Sequence, residues 1–322
     1  MMKFKLLGAL FAATVSLVPA QAQIYPNRVI KMVVPAGPAG PTDLLGRLVA
    51  SSLSSTLGQP VIIENKGGAG GAIGARAVAT AAPDGYTLFV GNTATLANIP
   101  AVSAGAGYDP IKDFAPIAKI MDSYQILVVR SGLPVKSVAE LVAYAKANPG
   151  KLNYAAVGVG NITHLSGELF KIKTGTDFAL IQYKSGGEAM TAVMSGQADF
   201  AIDNVAVSRP QITAGTMRAL AVTSATRQAT YPELPTMIEA GVPGFVVTSF
   251  FGIAAPAGTP APIVAKLHSE IAAALKTEKI VSTLEQLGAV ASTETPEQFQ
   301  ASIAASLKLW KEIADAAHIK ID

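Results

Sequence analysis

Few side chains in this sequence can move a proton near neutral pH. The chain carries three histidines, His164, His268 and His318, and no cysteine. Thiol nucleophiles and disulfides are thereby excluded, and no structural zinc site is expected. His268 falls in an amphipathic C-terminal helix and His318 near the chain end, so both read as surface or packing residues. His164 lies in the first turn of a helix beside the loop Gly158-Val159-Gly160-Asn161. It serves there either as a ligand contact or as helix-start packing. Asp203-Asn204 ends an apolar strand, where side chains reach a cleft. The aspartate either accepts from a ligand or a water, or shapes a turn. No H-E-x-x-H, G-x-S-x-G or P-loop pattern is present. Gly68-Ala69-Gly70 lacks the third residue of a dinucleotide fingerprint, because Ile73 stands there. No catalytic residue, metal or cofactor is expected.

What remains is backbone chemistry. Val29 to Val34 is a nearly continuous apolar run, as in a strand buried on both faces. Pro35-Ala36-Gly37-Pro38-Ala39-Gly40-Pro41 then forms a loop. Thr42 reads as the N-cap of a helix, Asp43 suits its positive end, and Leu44, Leu45, Leu48 and Val49 supply its apolar stripe. Such a loop aims backbone N–H groups at whatever sits above the strand end, and so cradles an anion. A tight turn with a helix cap is the plainer alternative.

The same order recurs about 120 residues later. Lys151 to Ala156 is strand-like, Val157 to Asn161 is a loop, and Ile162 to Phe170 reads as a helix. Val61 to Asn92 then matches Ala179 to Asn204: strand, glycine-rich turn, Ala-rich helix, and a second strand ending in Asn. Two such halves imply two α/β lobes with loops facing across a cleft. Asn92-Thr93 opens a cleft loop in the first half. Gly67 to Gly71 is read as close helix–strand packing or a second anion loop.

Lys3 and Lys5, the apolar run Leu6 to Val18 and Ala20-Gln21-Ala22 read as a signal peptide cut after Ala22, which implies a periplasmic protein. Removing 22 residues takes the formal charge from +3 to +1. That balance gives no reason to expect nucleic acid or an acidic membrane surface as partner.

Along the chain, Phe114 to Met121 and Gln125 to Arg130 read as two strands broken at Asp122-Ser123. Ser137 with Glu140 reads as a capping box. Ala101 to Pro110 looks irregular, and a short helix follows Thr236. Phe245 to Ala254 is the returning strand. There Ser249-Phe250-Phe251 either closes over a ligand or packs the hinge. The helices from Ile263, Glu278 and Pro296 close against the first lobe. The lobes are expected at residues 23–124 with 249–322, and at 125–248. The chain crosses between them twice, which makes a hinge.

Several segments resemble the Bug-type (TctC-like) periplasmic solute receptors of tripartite tricarboxylate transporters. They include GPAGPTD at 37–43, LGQPVIIENKGGAGGAIGA at 57–75, APDGYTL at 82–88, YDPIKDFAPIA at 108–118 and ANPGKLNYA at 147–155. NITHLSGELFK at 161–171, QYKSGGEAM at 182–190, IDN at 202–204, RALAVTS at 218–224 and FFGIAAPAGTP at 250–260 continue the likeness. The resemblance implies an α/β fold of the two-lobe, type II, Venus-flytrap kind. It implies a non-enzymatic receptor that holds a small carboxylate, be it a di- or tricarboxylate, an aromatic carboxylate or an acidic amino acid. The implied ligand residues are Gly37, Pro38, Ala39, Gly40, Pro41, Thr42 and Asp43 in the first loop, and Gly160, Asn161, Thr163 and His164 in the second. Asn92, Thr93, Asp203 and Phe250 complete the cleft. The implied partners are the transporter's membrane subunits or a sensor, with the receptor itself a monomer. Three departures mark this chain: Ala36 to Pro41 in place of Pro-Pro-Gly-Gly, Phe250 where relatives carry Trp, and an Ala/Gly-rich Ile99 to Tyr108. The rival reading is a secreted α/β hydrolase or transferase using His164 and Asp203.

Overall fold

The computed structural model describes residues 25–286 and 289–319; the expected signal segment and its cut after Ala22 lie outside them. The apolar run after Val29 forms β1 (Ile30–Val34), buried at four of its five positions. It pairs in parallel with β2 (Val61–Asn65) and β3 (Thr87–Asn92), on either side. α1 (Pro41–Leu57) and α2 (Ala72–Ala79) make the crossovers. A π-helical turn at Ala94–Asn98 runs into α3 (Ile99–Val102), and a 3-10 turn covers Ala104–Ala106. Half of the segment expected to be irregular, Ala101 to Pro110, lies in these short helical turns, and the rest carries no regular element.

β4 (Phe114–Arg130) is one strand of 17 residues. The expected break at Asp122-Ser123 does not occur. Both residues are paired on two sides, with Phe250 and Ser249 on one and Val290 and Ala289 on the other. Their polar side chains resemble a turn in sequence, but backbone pairing on both edges keeps them extended.

The second half repeats the first. α4 (Val138–Ala147) leads to β5 (Asn153–Val157), α5 (Ile162–Thr174), β6 (Ala179–Tyr183), α6 (Gly186–Ser195), β7 (Phe200–Asn204), α7 (Val205–Thr213) and β8 (Met217–Val222). Ser137 caps α4 through the Glu140 N–H, while the Glu140 carboxylate accepts from Lys136 rather than Ser137. No helix follows Thr236; it bridges Val222, and Met237 donates to the Val222 carbonyl. β9 (Thr248–Pro256) starts three residues later than expected, because Phe245 and Val247 are buried in the second core before the strand begins.

The strand order is β2-β1-β3-β9-β4-β7-β5-β6, with β8 and the short β10 (Ala289–Ala291) also on β4. The N-terminal part of β4 pairs with β9, and its C-terminal part with β7 and β8. β4 thus belongs to both halves, and each half has its own apolar core. α8 (Ala261–Ala274) and α9 (Glu278–Gln286) cover the first half, as expected. α10 (Pro296–Ala316) does not stay there. Phe299 and Ile303 sit in a first-half cluster with Val33, Phe89 and Phe114, whereas Trp310 and Ile313 sit in the second core with Leu127, Tyr154 and Phe170. At 1.5 Å per residue, 21 residues span roughly 30 Å, enough to reach both.

Candidate functional site

Between the halves lies a cavity of about 340 Å³. Three helix starts meet it: Pro41 of α1, Asn161 and Ile162 of α5, and Ala206 of α7. The crossing strands form its floor with Met121, Ser123, Ser249 and Phe250. Among the described residues no charged side chain lines it. Its electrostatics therefore come from backbone. The starts of α1 and α5 carry free first-turn N–H groups and the positive end of the macrodipole, which favour an anion, whereas the Ala206 N–H of α7 is already taken by Asn204 Oδ1.

The first loop is organised from behind. Gly40, not Thr42, is the N-cap of α1, and Pro41 is its first residue. Proline's fixed φ suits that place and it has no N–H to leave unpaired, so the helix begins earlier than the hydroxyl suggested. The Thr42 hydroxyl instead accepts from Asn92 Nδ2 at 3.3 Å. The Asp43 carboxylate, buried, accepts from Ala39 N–H at 2.9 Å, Arg47 Nε at 2.8 Å and Asn65 Nδ2 at 2.9 Å. These bonds hold Ala39 at φ +66°, a left-handed conformation unusual for alanine. Asp43 is thus a loop strut, and of Gly37 to Asp43 only Pro41 lines the cavity. The remaining first-turn donors are the N–H groups of Thr42 and Asp43, since Leu44 already donates to Gly40.

The Arg47 hydrogen bond, followed by those of Asn65 and Ala39, holds the Asp43 carboxyl down at about 2. A depressed carboxyl adds stability above its unfolded value of 3.8, and that contribution fades as pH falls through about 2. Asp43→Ala is expected to lower stability at neutral pH by about 2–3 kcal/mol and to weaken ligand binding, by releasing Ala39. Urea unfolding should show the gap at pH 7 and a smaller one near pH 2. An equal gap at both would sink the ion-pair account.

The second loop follows the same plan. Gly158 and Gly160 take φ of +65° and +74°, and Asn161 caps α5 without a side-chain bond. His164 Nδ1 accepts from Gly160 N–H at 3.0 Å, which leaves the ring proton on Nε2. Burial pushes the imidazole pKa down, so the ring stays neutral. The Thr163 hydroxyl accepts from Val157 N–H at 2.8 Å. Both side chains are buried and line no cavity. They position the loop, while Asn161 and Ile162 present it. His164 thus supports the loop and lines neither cavity.

At the strand ends, Asn92 lines the cavity and its carbonyl oxygen accepts from Thr95 N–H. The Thr93 hydroxyl accepts from Phe250 N–H at 2.7 Å, tying β3's end to the returning strand. Phe250 lines the cavity and packs edge-on against Phe299, with centroids 5.6 Å apart. Asp203 lines no cavity. It is buried, with one oxygen accepting from Asn204 N–H, and burial lifts its carboxyl up to about 6. The next residue, Asn204, reaches the cavity and donates to Ser123 Oγ at 2.7 Å. Successive strand residues face opposite sides, so only one of the pair could do so. Asn204 carried that alternation as a signal, but the register that decides between the two was not legible. Ser123, Met121 and Asn98 had no sequence signal at all.

No lining side chain is an activated nucleophile. Ser123 accepts from Asn204, and Ser249 from Gln125. The three histidines lie elsewhere. Among the described residues there is no group of three or more His, Asp or Glu placed to hold a metal. None of the described helices is long and apolar enough to cross a membrane.

Residues 45–319 match the tripartite tricarboxylate transporter family receptor, TctC. Protein BugT of Bordetella pertussis is 35% identical over 97% of this chain and 96% of its own length. The structure of R. palustris Rpa4515 with adipate is 38% identical, with a TM-score of 0.76 over 92% of this chain and 99% of that one. MatC (Rpa3494) from Rhodopseudomonas palustris with bound malate is 34% identical, with a TM-score of 0.72 over 90% and 99%. The fold is therefore that of the two-lobe periplasmic binding proteins. The chain belongs to the tripartite tricarboxylate transporter receptor family, whose members are solute-binding receptors rather than enzymes.

Proposed function

We propose that this receptor captures a small carboxylate in the cavity between its lobes, in the periplasm, and presents it to transporter membrane subunits or a sensor. The observation that carries this is the convergence of three helix starts on a cavity lined by no charged side chain. Such backbone donors hold an oxyanion without a cation, and a carboxylate is one of the anions they suit. Relatives crystallised with adipate and with malate support the same class. The ligand loops are Pro41 with the Thr42 and Asp43 amides, and Gly160 to Ile162. Asn92, Thr93, Asn204 and Phe250 shape the space between. Ala39, Thr163, His164 and Asp203 act from behind. The lobes comprise residues 23–124 with 249–295, and 125–248, with α10 lying across both, and they close about β4 and β9.

A thermal-shift panel on the mature protein tests this. The panel holds aliphatic di- and tricarboxylates, aromatic carboxylates and acidic amino acids, added after unfolding and refolding to strip carried ligand. At about 100 times its dissociation constant a ligand adds roughly 2.7 kcal/mol, which is several degrees here. A selective shift with one carboxylate class is expected. A flat panel, or a shift confined to cationic or neutral solutes, would overturn the reading.

A further inference from the structure

A second cavity, of about 520 Å³, adjoins the first and shares Ala94, Asn98 and Asn161 with it. Its walls are mostly small and apolar, with Asn98, Ser103 and Asn161 as uncharged polar residues. Arg76 on α2 is the only charged residue lining it, among the described residues. Arg76 is half-buried and makes no side-chain hydrogen bond or ion pair within the described chain. Tyr108, whose phenol lies within its field, is itself bonded to the Thr95 carbonyl. An arginine without an intramolecular partner at a cavity wall is free to pair with an anion that enters the cavity.

The junction carries a second unpaired group. Asn98 is 3% exposed, lines both cavities, and its side-chain oxygen has no hydrogen-bond partner. Buried amides are almost always paired. Asn98 thus stands at the boundary of the two spaces as an incompletely paired polar residue.

We infer that the two cavities form one elongated ligand site. One carboxylate sits at the helix starts, the body of the ligand passes Asn98 and Ala94, and a second anionic group pairs with Arg76. The substrate class is a chain-like or aromatic dianion with its charges at opposite ends. A short acid would fill only the first cavity. Guanidinium–carboxylate pairing is bidentate and directional, so Arg76 selects for the second charge and for the length that delivers it. This inference rests on the carboxylate reading above.

The test is calorimetric titration of the full receptor with α,ω-dicarboxylates from malonate through azelate, each compared with the monocarboxylate of equal length. Wild-type protein is expected to prefer a long dicarboxylate over its monocarboxylate by about tenfold or more. Arg76→Gln should abolish that preference while leaving affinity for the shortest binding acid unchanged. Arg76→Lys should restore part of it. A preference that survives Arg76→Gln would overturn the inference and leave the carboxylate reading standing, as would best binding by malonate. Absence of any carboxylate binding by wild-type protein would sink both. The thermal midpoint of each unliganded variant separates folding damage from lost pairing.

Discussion

Gly252→Ala is expected to lower stability by about 3 kcal/mol, or roughly 6–12 °C in thermal midpoint, although it adds a single methyl group. Gly252 lies on β9 between β3 and β4, paired with Gly91 and Lys119. A Cβ there would lie 2.4 Å from Phe299 Cζ and 2.9 Å from the Ala118 carbonyl oxygen. The carbonyl belongs to a paired strand and cannot retreat. The ring must move instead, yet Phe299 is fully buried and seats the first turns of α10 against Phe250. Displacing it forfeits much of a buried aromatic's contribution, about 3–5 kcal/mol. Phe299→Leu shortens the side chain short of the ring edge. In that background Gly252→Ala should cost about 2 kcal/mol less, a coupling that a double-mutant cycle with urea unfolding reads directly. Additive effects in the cycle would show that the ring is not the obstacle.

Asp203→Asn should stabilise the protein, by about 2–3 kcal/mol above pH 6, and do little below pH 4. The carboxyl is lifted from 3.8 to about 6, chiefly by burial. The folded state then holds the proton more tightly than the unfolded chain, so stability falls as pH rises through that window and the loss is complete above it. Two local features oppose the lift. Asn204 N–H donates to one oxygen, and the other lies against Gly186 at the start of α6. A helix start favours a carboxylate by about 0.3–1 kcal/mol, which is smaller than the desolvation it faces here. Asparagine keeps an acceptor for Asn204 and carries no charge. Urea unfolding at both pH extremes checks this. A loss near pH 7.5, or the same gain at both, would contradict it.

The parts of the fold legible in sequence were those written in local pattern. The apolar run Ile30 to Val34, the Pro/Gly loop behind it and the repeat of both at Asn153 to Thr174 fixed the parallel halves and the facing loops. What stayed hidden depends on partners distant in the chain. Asp122-Ser123 looks like a break until β9 and β10 pair both of its edges. Thr42 looks like a cap until Pro41 takes the first helical place. Asp203 and Asn204 differ only in register, and register is set by the Ile126 and Gln125 rungs of β4. Helical spacing in α10 announces a buried stripe without naming which core receives it. The site follows the same division. The loops were readable, whereas Arg76 and Asn98, far apart in motif terms, meet only because α2 and the π-helical turn face the same space.

α10 also gives the molecule an optical property. Trp310 is the only tryptophan in the chain, and it is 1% exposed. Its indole N–H has no acceptor among the described residues, so the ring sits in a wholly apolar environment. The ring is at the far end of a helix whose near end, at Phe299, abuts the cavity-lining Phe250. Excited at the red edge of the indole band, where the eight tyrosines scarcely absorb, the unlabelled protein emits from this one buried indole, which α10 joins to the cavity wall. A lobe rotation that displaced the far end of α10 would be read as a change in quantum yield or anisotropy at this one place, which stopped-flow fluorescence can look for without an attached dye.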